Sequence, residues 1–572
     1  MKKMTSGRKK ILFQTDFSLA KTGFGRTAKA ILVYLYNLNK YDIVHFCCGE
    51  REDSIELQKT PWKSIGCITS DPREKKLLAE SEDKSKKAYY GVYNLDKVIN
   101  QEKPDIYIGV QDIWGLIHAI EKPWFKKITS IIWTTLDSLP ILPAAIEAAK
   151  KSDNFWIWSD FATKELHKLG LTHAKTVHGP IEDKFFYRLL KHERFSLREK
   201  NKIDQDTFIV GFVFRNQMRK SVPNLLQGFS EWKKNYKTKS KLLLHTSWSE
   251  GWDINKLAAE VSLPKEDILI THFCRNCKNY SVKIFEGEGS SCEFCGLQDS
   301  CYTPIPSYGV SESQLNEIYN LMDVYCHPFT SGGQEIPIQE AKLAELITLV
   351  TNYSCGEEMC EAEAHSVPLD WTEYREHKSE YIKASTSPAS IAQSIHKVYE
   401  MPEEGRENAG KKARQWVIDN YAVKNVCKTL ENFIDKSPKT KYEYPSKSSM
   451  DILDPLNELS EGDKNEKILF VMPGKERDIF LSTSLFRSIN DLYPEHKLYV
   501  ATNKKYFPIL EGNPYVHKAV EYLPQMDDLL WLEGKAFHEG FFKIAFIPYI
   551  NTQKIITFTH NGEDKIAYDL KY

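Results

Sequence analysis

No stretch of the 572 residues approaches the roughly 20 consecutive apolar positions that a membrane-spanning helix needs. The basic N-terminus, Met1–Lys10, is followed only by Ile11-Leu12-Phe13 before Gln14 and Asp16, too short an apolar run for a signal-peptide core. Charge of one sign is also missing: 77 lysines and arginines meet 78 aspartates and glutamates, for a net charge of −1. That excludes an overall basic footprint for nucleic acid or anionic membrane and leaves only local patches open. The twelve cysteines do not form a disulfide framework, since eight are scattered and four sit in two Cys-x-x-Cys pairs. These absences predict a reducing, cytoplasmic compartment.

Apolar residues make up 41% of the chain, enough for sizeable cores. Single cores rarely grow past about 250–300 residues, so the length predicts several domains. Three segments repeat one design, a short apolar strand, a turn and an amphipathic helix: they begin Lys10-Ile-Leu-Phe, Thr207-Phe-Ile-Val and Lys467-Ile-Leu-Phe. Continuous apolar strands suit a parallel sheet buried on both faces, so each segment is expected to open a Rossmann-like α/β unit. The expected domains are 1–190, 205–436 and 467–572, with a polar linker at 437–466.

Two such units in tandem place the carboxyl ends of two sheets face to face, where ligands bind. After the first strand comes Thr22-Gly23-Phe24-Gly25-Arg26, then a helix expected from about Thr27 to Leu38; glycines let backbone approach a ligand, and the helix N-terminus favours anions. After the strand ending at Phe214, Arg215 and Lys220 stand five apart, a guanidinium fork and a point charge suited to a diphosphate, or else a solvated basic turn. A third element, Gly332-Gly333-Gln334-Glu335, precedes a helix expected near Pro337 and offers backbone N–H groups to phosphate or sugar hydroxyls. Glu340, one turn into that helix, can hold a ribose diol.

The order of these elements resembles the family-4 GT-B glycosyltransferases over residues 9 to about 434. The resemblance implies an α/β chain with two Rossmann-like domains facing across a cleft. The first domain would lie on the acceptor side and the second would bind the donor. It also implies a nucleotide-sugar substrate and transfer with retention. Gly23 and Gly25 fall on the glycine turn beside the donor phosphates, Arg215 and Lys220 on the diphosphate grip, and Glu340 on the ribose ligand. Val177-His-Gly-Pro-Ile-Glu182 falls where the family crosses between domains. The chain departs from the pattern at Gly332, where the family has a sugar-contacting glutamate; Glu335, three residues on, is the candidate substitute. It departs again at Thr134-Thr-Leu-Asp137, where a histidine is usual. Asp137 is expected either to bind a donor hydroxyl or orient an acceptor, or simply to cap a helix. No catalytic divalent metal is expected, because the two cations take its place.

Cys274-Arg-Asn-Cys277 and Cys292-Glu-Phe-Cys295, fourteen residues apart, have zinc-knuckle spacing. Four thiolates close a tetrahedral site and leave no open position, so a structural zinc ribbon inserted at 272–303 is expected, either contacting acceptor or partner or stapling a long loop. Residues 467–525 resemble the N-terminal half of heptosyltransferase-like proteins, read here as an acceptor-holding, docking or self-associating unit. The acceptor, whether glycan, protein or nucleic acid, is not named by the sequence. A transferase acting on DNA or modified bases, as in tailed phages, and a silent nucleotide-sugar or glycan-binding scaffold stand as alternatives.

Overall fold

Ile11, Leu12 and Phe13 are fully buried, as a strand covered on both faces requires. In the computed structural model they lie at the centre of the first of two large sheets. The structure describes residues 7–70, 78–79, 81–305, 308–444 and 465–523, a few positions between 526 and 548, and the backbone of strands Ile555–His560 and Asp564–Asp569. Two units are distinguished, residues 1–444 and 445–572.

The first sheet of the larger unit contains β1 (Lys9–Asp16), β2 (Tyr41–Arg51), β3 (Lys63–Ile68), β4 (Ile106–Val110), β5 (Thr129–Thr134), β6 (Phe155–Ile157) and β7 (Lys175–Thr176). Its order is β3-β2-β1-β4-β5-β6-β7, with every pairing parallel. The second sheet holds β8 (Phe208–Val213), β9 (Ser240–His245), β10 (Ile268–Cys274), β11 (Tyr280–Lys283), β12 (Cys301–Tyr302), β13 (Val324–His327), β14 (Ile347–Thr351) and β15 (Ser366–Leu369). It runs β11-β10-β9-β8-β13-β14-β15, with β12 paired to β10. Only β11 and β12, which frame the cysteine cluster, are antiparallel to their neighbour.

Both sheets start in the middle, extend to one side and then return to the other. Strand order therefore reverses between β1 and β4 in the first sheet and between β8 and β13 in the second. Such reversal points leave a crevice beyond the strands' carboxyl ends, and α/β proteins bind ligands there. The loops after β1, β4, β5, β8 and β13 are thus the ones the topology brings to the cleft.

The chain crosses between the domains twice. Ile181 N–H donates to Tyr421 O at 2.8 Å, and Val423 N–H to Ile181 O at 3.1 Å, so the outgoing and returning segments are bonded together. Ala422 is extended and separates the helices Glu403–Tyr421 and Val423–Lys436. The second of these, expected to belong with 205–436, buries Val426, Cys427, Leu430 and Ile434 in the core beneath β1. Of the stretch expected as a linker, 437–444 lies along the first domain, where Thr440 N–H donates to Asp105 Oδ1 at 3.1 Å; 445–464 lie outside the described residues.

The smaller unit has a parallel sheet of β18 (Glu466–Val471), β19 (His496–Thr502), β20 (Lys518–Glu521) and β21 (Ile544–Phe546), in the order β20-β19-β18-β21. Strands β16 (Trp371–Arg375) and β17 (Ile382–Thr386) form a separate hairpin in the larger unit. The helix Glu476–Leu492 lies over the smaller sheet through Ile479, Phe486 and Ile489. Among the described residues, no helix is long and apolar enough to cross a membrane.

Candidate functional site

The carboxyl ends of the two sheets enclose a cavity of about 630 Å3. The loop after β1 supplies Gly23 and Phe24; those after β4 and β5 supply Asp112, Trp114 and residues 135–138. Arg219 and residues 332–336 line the opposite side.

The helix expected from Thr27 begins at Gly23, because Thr22 caps it: Gly25 N–H donates to Thr22 Oγ1 at 3.0 Å. Thr22 in turn donates to Asp16 Oδ2 at 2.6 Å, and Gln111 Nε2 donates to Asp16 Oδ1 at 2.7 Å. A Cβ at Gly25 would lie 2.5 Å from Ala20 O, so only glycine admits this turn.

Sequence spacing pairs Arg215 with Lys220, but the structure brings Arg219 and Lys220 together instead. Arg215, with its side chain 56% exposed, lies 3.4 Å from Glu250 and does not line the cavity. The short turn Met218–Lys220 swings Arg219 into the cavity and buries Lys220 behind it. Both cations bond the two carboxylate oxygens of Glu335, and His327 Nε2 stands 3.1 Å from Oε2. Burial by itself would raise the Glu335 pKa, but Arg219 and Lys220 outweigh it and hold the carboxyl well below its ordinary range. Burial, with Arg219 adding to it, lowers Lys220 to about 8.

Glu335 curls back over Gly332, where a Cβ would meet its Oε1 at 2.5 Å. Its carboxylate therefore lies beside position 332, where the family-4 pattern has a glutamate. Gly333 permits a close approach of the two domains, since a Cβ there would come within 2.4 Å of Thr135. Gln334 reads the crossing segment with both ends of its amide: Nε2 donates to Gly179 O at 2.7 Å, and Oε1 accepts from Gly179 N–H at 2.8 Å. The next helix starts at Ile336, one residue before the expected proline. Glu340 within it is buried and does not line the cavity; it accepts from Arg26 Nη2 at 2.6 Å and from Tyr319 OH at 2.8 Å.

Asp137 is not a helix cap, for the next helix opens at Pro143 with Leu142 in the capping position. It lines the cavity, accepting from Ser138 Oγ at 2.9 Å and, across the cleft, from Ser331 Oγ at 3.4 Å. Lys383, buried, donates to both of those serines at 2.6 and 2.7 Å. Asp112 was not singled out by sequence. It accepts from Thr135 at 2.8 Å, and burial raises its pKa, with Asp137 and Asp16 adding to the effect. The topological reversal at β1/β4 is the signal that locates it, and that reversal is not readable from local pattern.

In the second domain, Cys274, Cys277, Cys292 and Cys295 converge where β10 ends. Four sulfurs about 2.3 Å from a zinc-sized ion in a tetrahedron are about 3.8 Å from one another. Cys274 Sγ and Cys295 Sγ are 3.8 Å apart, and Cys277 Sγ and Cys292 Sγ 3.6 Å. Phe294 N–H and the side-chain amides of Asn276 and Asn279 donate toward Cys292, Cys295 and Cys277 at 3.4, 3.5 and 3.5 Å, the second-sphere donors that thiolates use. The cluster can hold a structural metal ion.

No family model matches the sequence, and no curated protein matches it. Solved structures do match the fold. A glycosyltransferase from Rickettsia africae superimposes with a TM-score of 0.52 at 13% identity, over 75% of this chain and 99% of its own. Sucrose-phosphate synthase from Thermosynechococcus elongatus gives 0.52 at 12%, with coverages of 75% and 99%. HepE of Anabaena in complex with UDP-glucose gives 0.51 at 11%, covering 75% of this chain and all of that one. Two Rossmann-like domains facing across a cleft, superimposing on these proteins over nearly their full length, give this chain the GT-B fold.

Proposed function

We propose that the protein is a glycosyltransferase that takes a sugar from a nucleotide donor and passes it to an acceptor hydroxyl with retention of anomeric configuration. The observation that carries this reading is the convergence of Arg219 and Lys220 with the Gly332–Gln334 backbone at the β8/β13 reversal, facing the glycine turn of the other domain. HepE, of the same fold, is solved with UDP-glucose.

In this reading the donor diphosphate replaces the Glu335 carboxylate on Arg219 and Lys220. The released carboxylate then meets the sugar hydroxyls, taking the role of the glutamate absent at position 332. Glu340 exchanges Arg26 for the ribose diol. Gly23, Gly25 and Gly333 let backbone approach the phosphates, and Asp137 meets a hydroxyl of donor or acceptor. The two cations and the aligned N–H groups stabilise the diphosphate as charge develops on it. The cysteine cluster holds zinc, with no position open for catalysis.

Calorimetric titration of UDP, GDP and ADP into wild-type protein and Lys220→Ala tests the site. One nucleotide should bind the wild type and lose on the order of tenfold or more in affinity in the variant, as expected when a charge-assisted contact is removed. No binding of any nucleotide would overturn the reading. Binding without release of nucleotide from its sugar conjugates would select the silent scaffold.

A further inference from the structure

The cavity has two unlike walls. Arg219 stands on the donor-domain side. The first-domain side presents the carboxylates Asp112 and Asp137 and the rings of Phe24, Trp114 and Trp158. Among the described lining residues Arg219 is the only cation. Lys383 reaches Asp137 only through the Ser138 and Ser331 hydroxyls, and Lys86 lies 4.2 Å from the Trp114 ring centroid; neither lines the cavity. Asp16 lies behind, engaged by Thr22 and Gln111, and adds a third carboxyl to this side.

The aromatic groups are arranged for use. Trp114 follows β4, lines the cavity and is 43% exposed. Tyr90 packs its ring edge-on at 4.6 Å and 85°, and Lys86 fixes it further. Trp158, only 3% exposed, packs against Phe24 at 5.1 Å. Its indole Nε1–H has no hydrogen-bond partner, although buried donors are almost always satisfied.

We propose that this wall is the acceptor subsite and that it takes an uncharged saccharide. This rests on the glycosyltransferase reading above and names its second substrate class. A pyranose has apolar C–H faces for the Trp114 ring and hydroxyls to donate to Asp112. Phosphorylated acceptors, including nucleic acid and sugar phosphates, would place anions beside Asp112 and Asp137, with no cation among the described lining residues of that wall to meet them. In the transfer the acceptor oxygen bonds to the anomeric carbon as the bond from that carbon to the diphosphate oxygen breaks. The hydroxyl proton passes to the departing diphosphate.

Saturation-transfer NMR on the full chain tests this. The probes are the methyl glycosides of glucose, galactose, mannose and N-acetylglucosamine, with glucose 6-phosphate and a ten-residue oligothymidylate. Wild type, Trp114→Ala, Trp114→Phe and Asp112→Asn are compared, with UDP binding measured separately without acceptor. At least one glycoside should bind. Its affinity should fall on the order of tenfold in Trp114→Ala and be largely kept in Trp114→Phe, which retains an aromatic face. The phosphate and the oligonucleotide should bind at least about tenfold more weakly than the best glycoside, and Asp112→Asn should narrow that gap. Glycosides bound equally by wild type and Trp114→Ala, or a phosphorylated probe bound best, would overturn the proposal. So would nucleotide binding in the absence of any glycoside binding. Failure of all nucleotides would instead remove the donor reading on which the proposal rests.

Discussion

Arg26 Nη2, on the first helix of one domain, lies 2.6 Å from Glu340 Oε1, on the helix that follows the glycine loop of the other. The residue that family resemblance assigns to the donor ribose is thus held by a cation from across the cleft. Arg26→Ala should leave a buried carboxylate with Tyr319 alone and lower stability by about 1–3 kcal/mol. In the same variant Glu340 is freed, so nucleotide should raise the melting temperature by more than in wild type. Glu340→Ala should abolish the nucleotide shift. Differential scanning calorimetry with and without ligand reads both effects; an unchanged shift in both variants would remove Glu340 from the donor site.

Arg215 and Arg219 can be separated by nucleotide affinity. Arg219 faces the cavity and Arg215 faces solvent and Glu250. Arg219→Ala should weaken nucleotide binding on the order of tenfold or more, and Arg215→Ala by less than about threefold. The reverse order would show that Arg215 swings in when the donor binds.

Glu335 pairs with both site cations. Glu335→Gln should therefore bind free nucleotide more tightly than wild type while turning over the sugar nucleotide more slowly. Equal losses in both would mean that the carboxylate holds the site together and does not compete with the diphosphate.

The four-cysteine cluster should carry about one zinc per chain by elemental analysis, and Cys277→Ser should lose it. Because β10 and β12 pair at Cys274 and Cys301, metal loss should lower the melting temperature and leave nucleotide affinity nearly intact. Metal-free wild-type protein of unchanged stability would contradict a structural role.

Glu358, buried where the crossing segments meet, accepts from Asp160 N–H at 3.0 Å and Tyr421 OH at 3.1 Å. Burial lifts its pKa from 4.5 to about 8. The folded state then holds a proton that the unfolded state has released between those values. The stabilising contribution is complete below pH 4.5 and is lost as pH rises through about 8. Within the window one such proton gives a slope of up to about 1.4 kcal/mol per pH unit. Glu358→Gln cannot ionise, so its unfolding free energy should decline less between pH 5 and 8.5; identical slopes would place the titration elsewhere.

The sequence by itself determined the strands that open the α/β units, the glycine turns and the cysteine knuckles. Ile11–Phe13 and Phe208–Val213 are apolar because two-sided burial demands it, and Cys-x-x-Cys spacing alone forms a metal-binding knuckle. Such signals are local, each set by neighbours within a few residues. Which charged side chains meet was decided only by the tertiary structure. Sequence spacing points to Arg215 as the diphosphate ligand, and the single turn Met218–Lys220 puts Arg219 in the cavity instead. Asp112 became a site residue only when β4 was placed beside β1, and Glu340 found Arg26 only when the two domains faced each other. Pair energies in a cleft depend on distance and burial between residues hundreds of positions apart, which the local pattern of a chain does not encode.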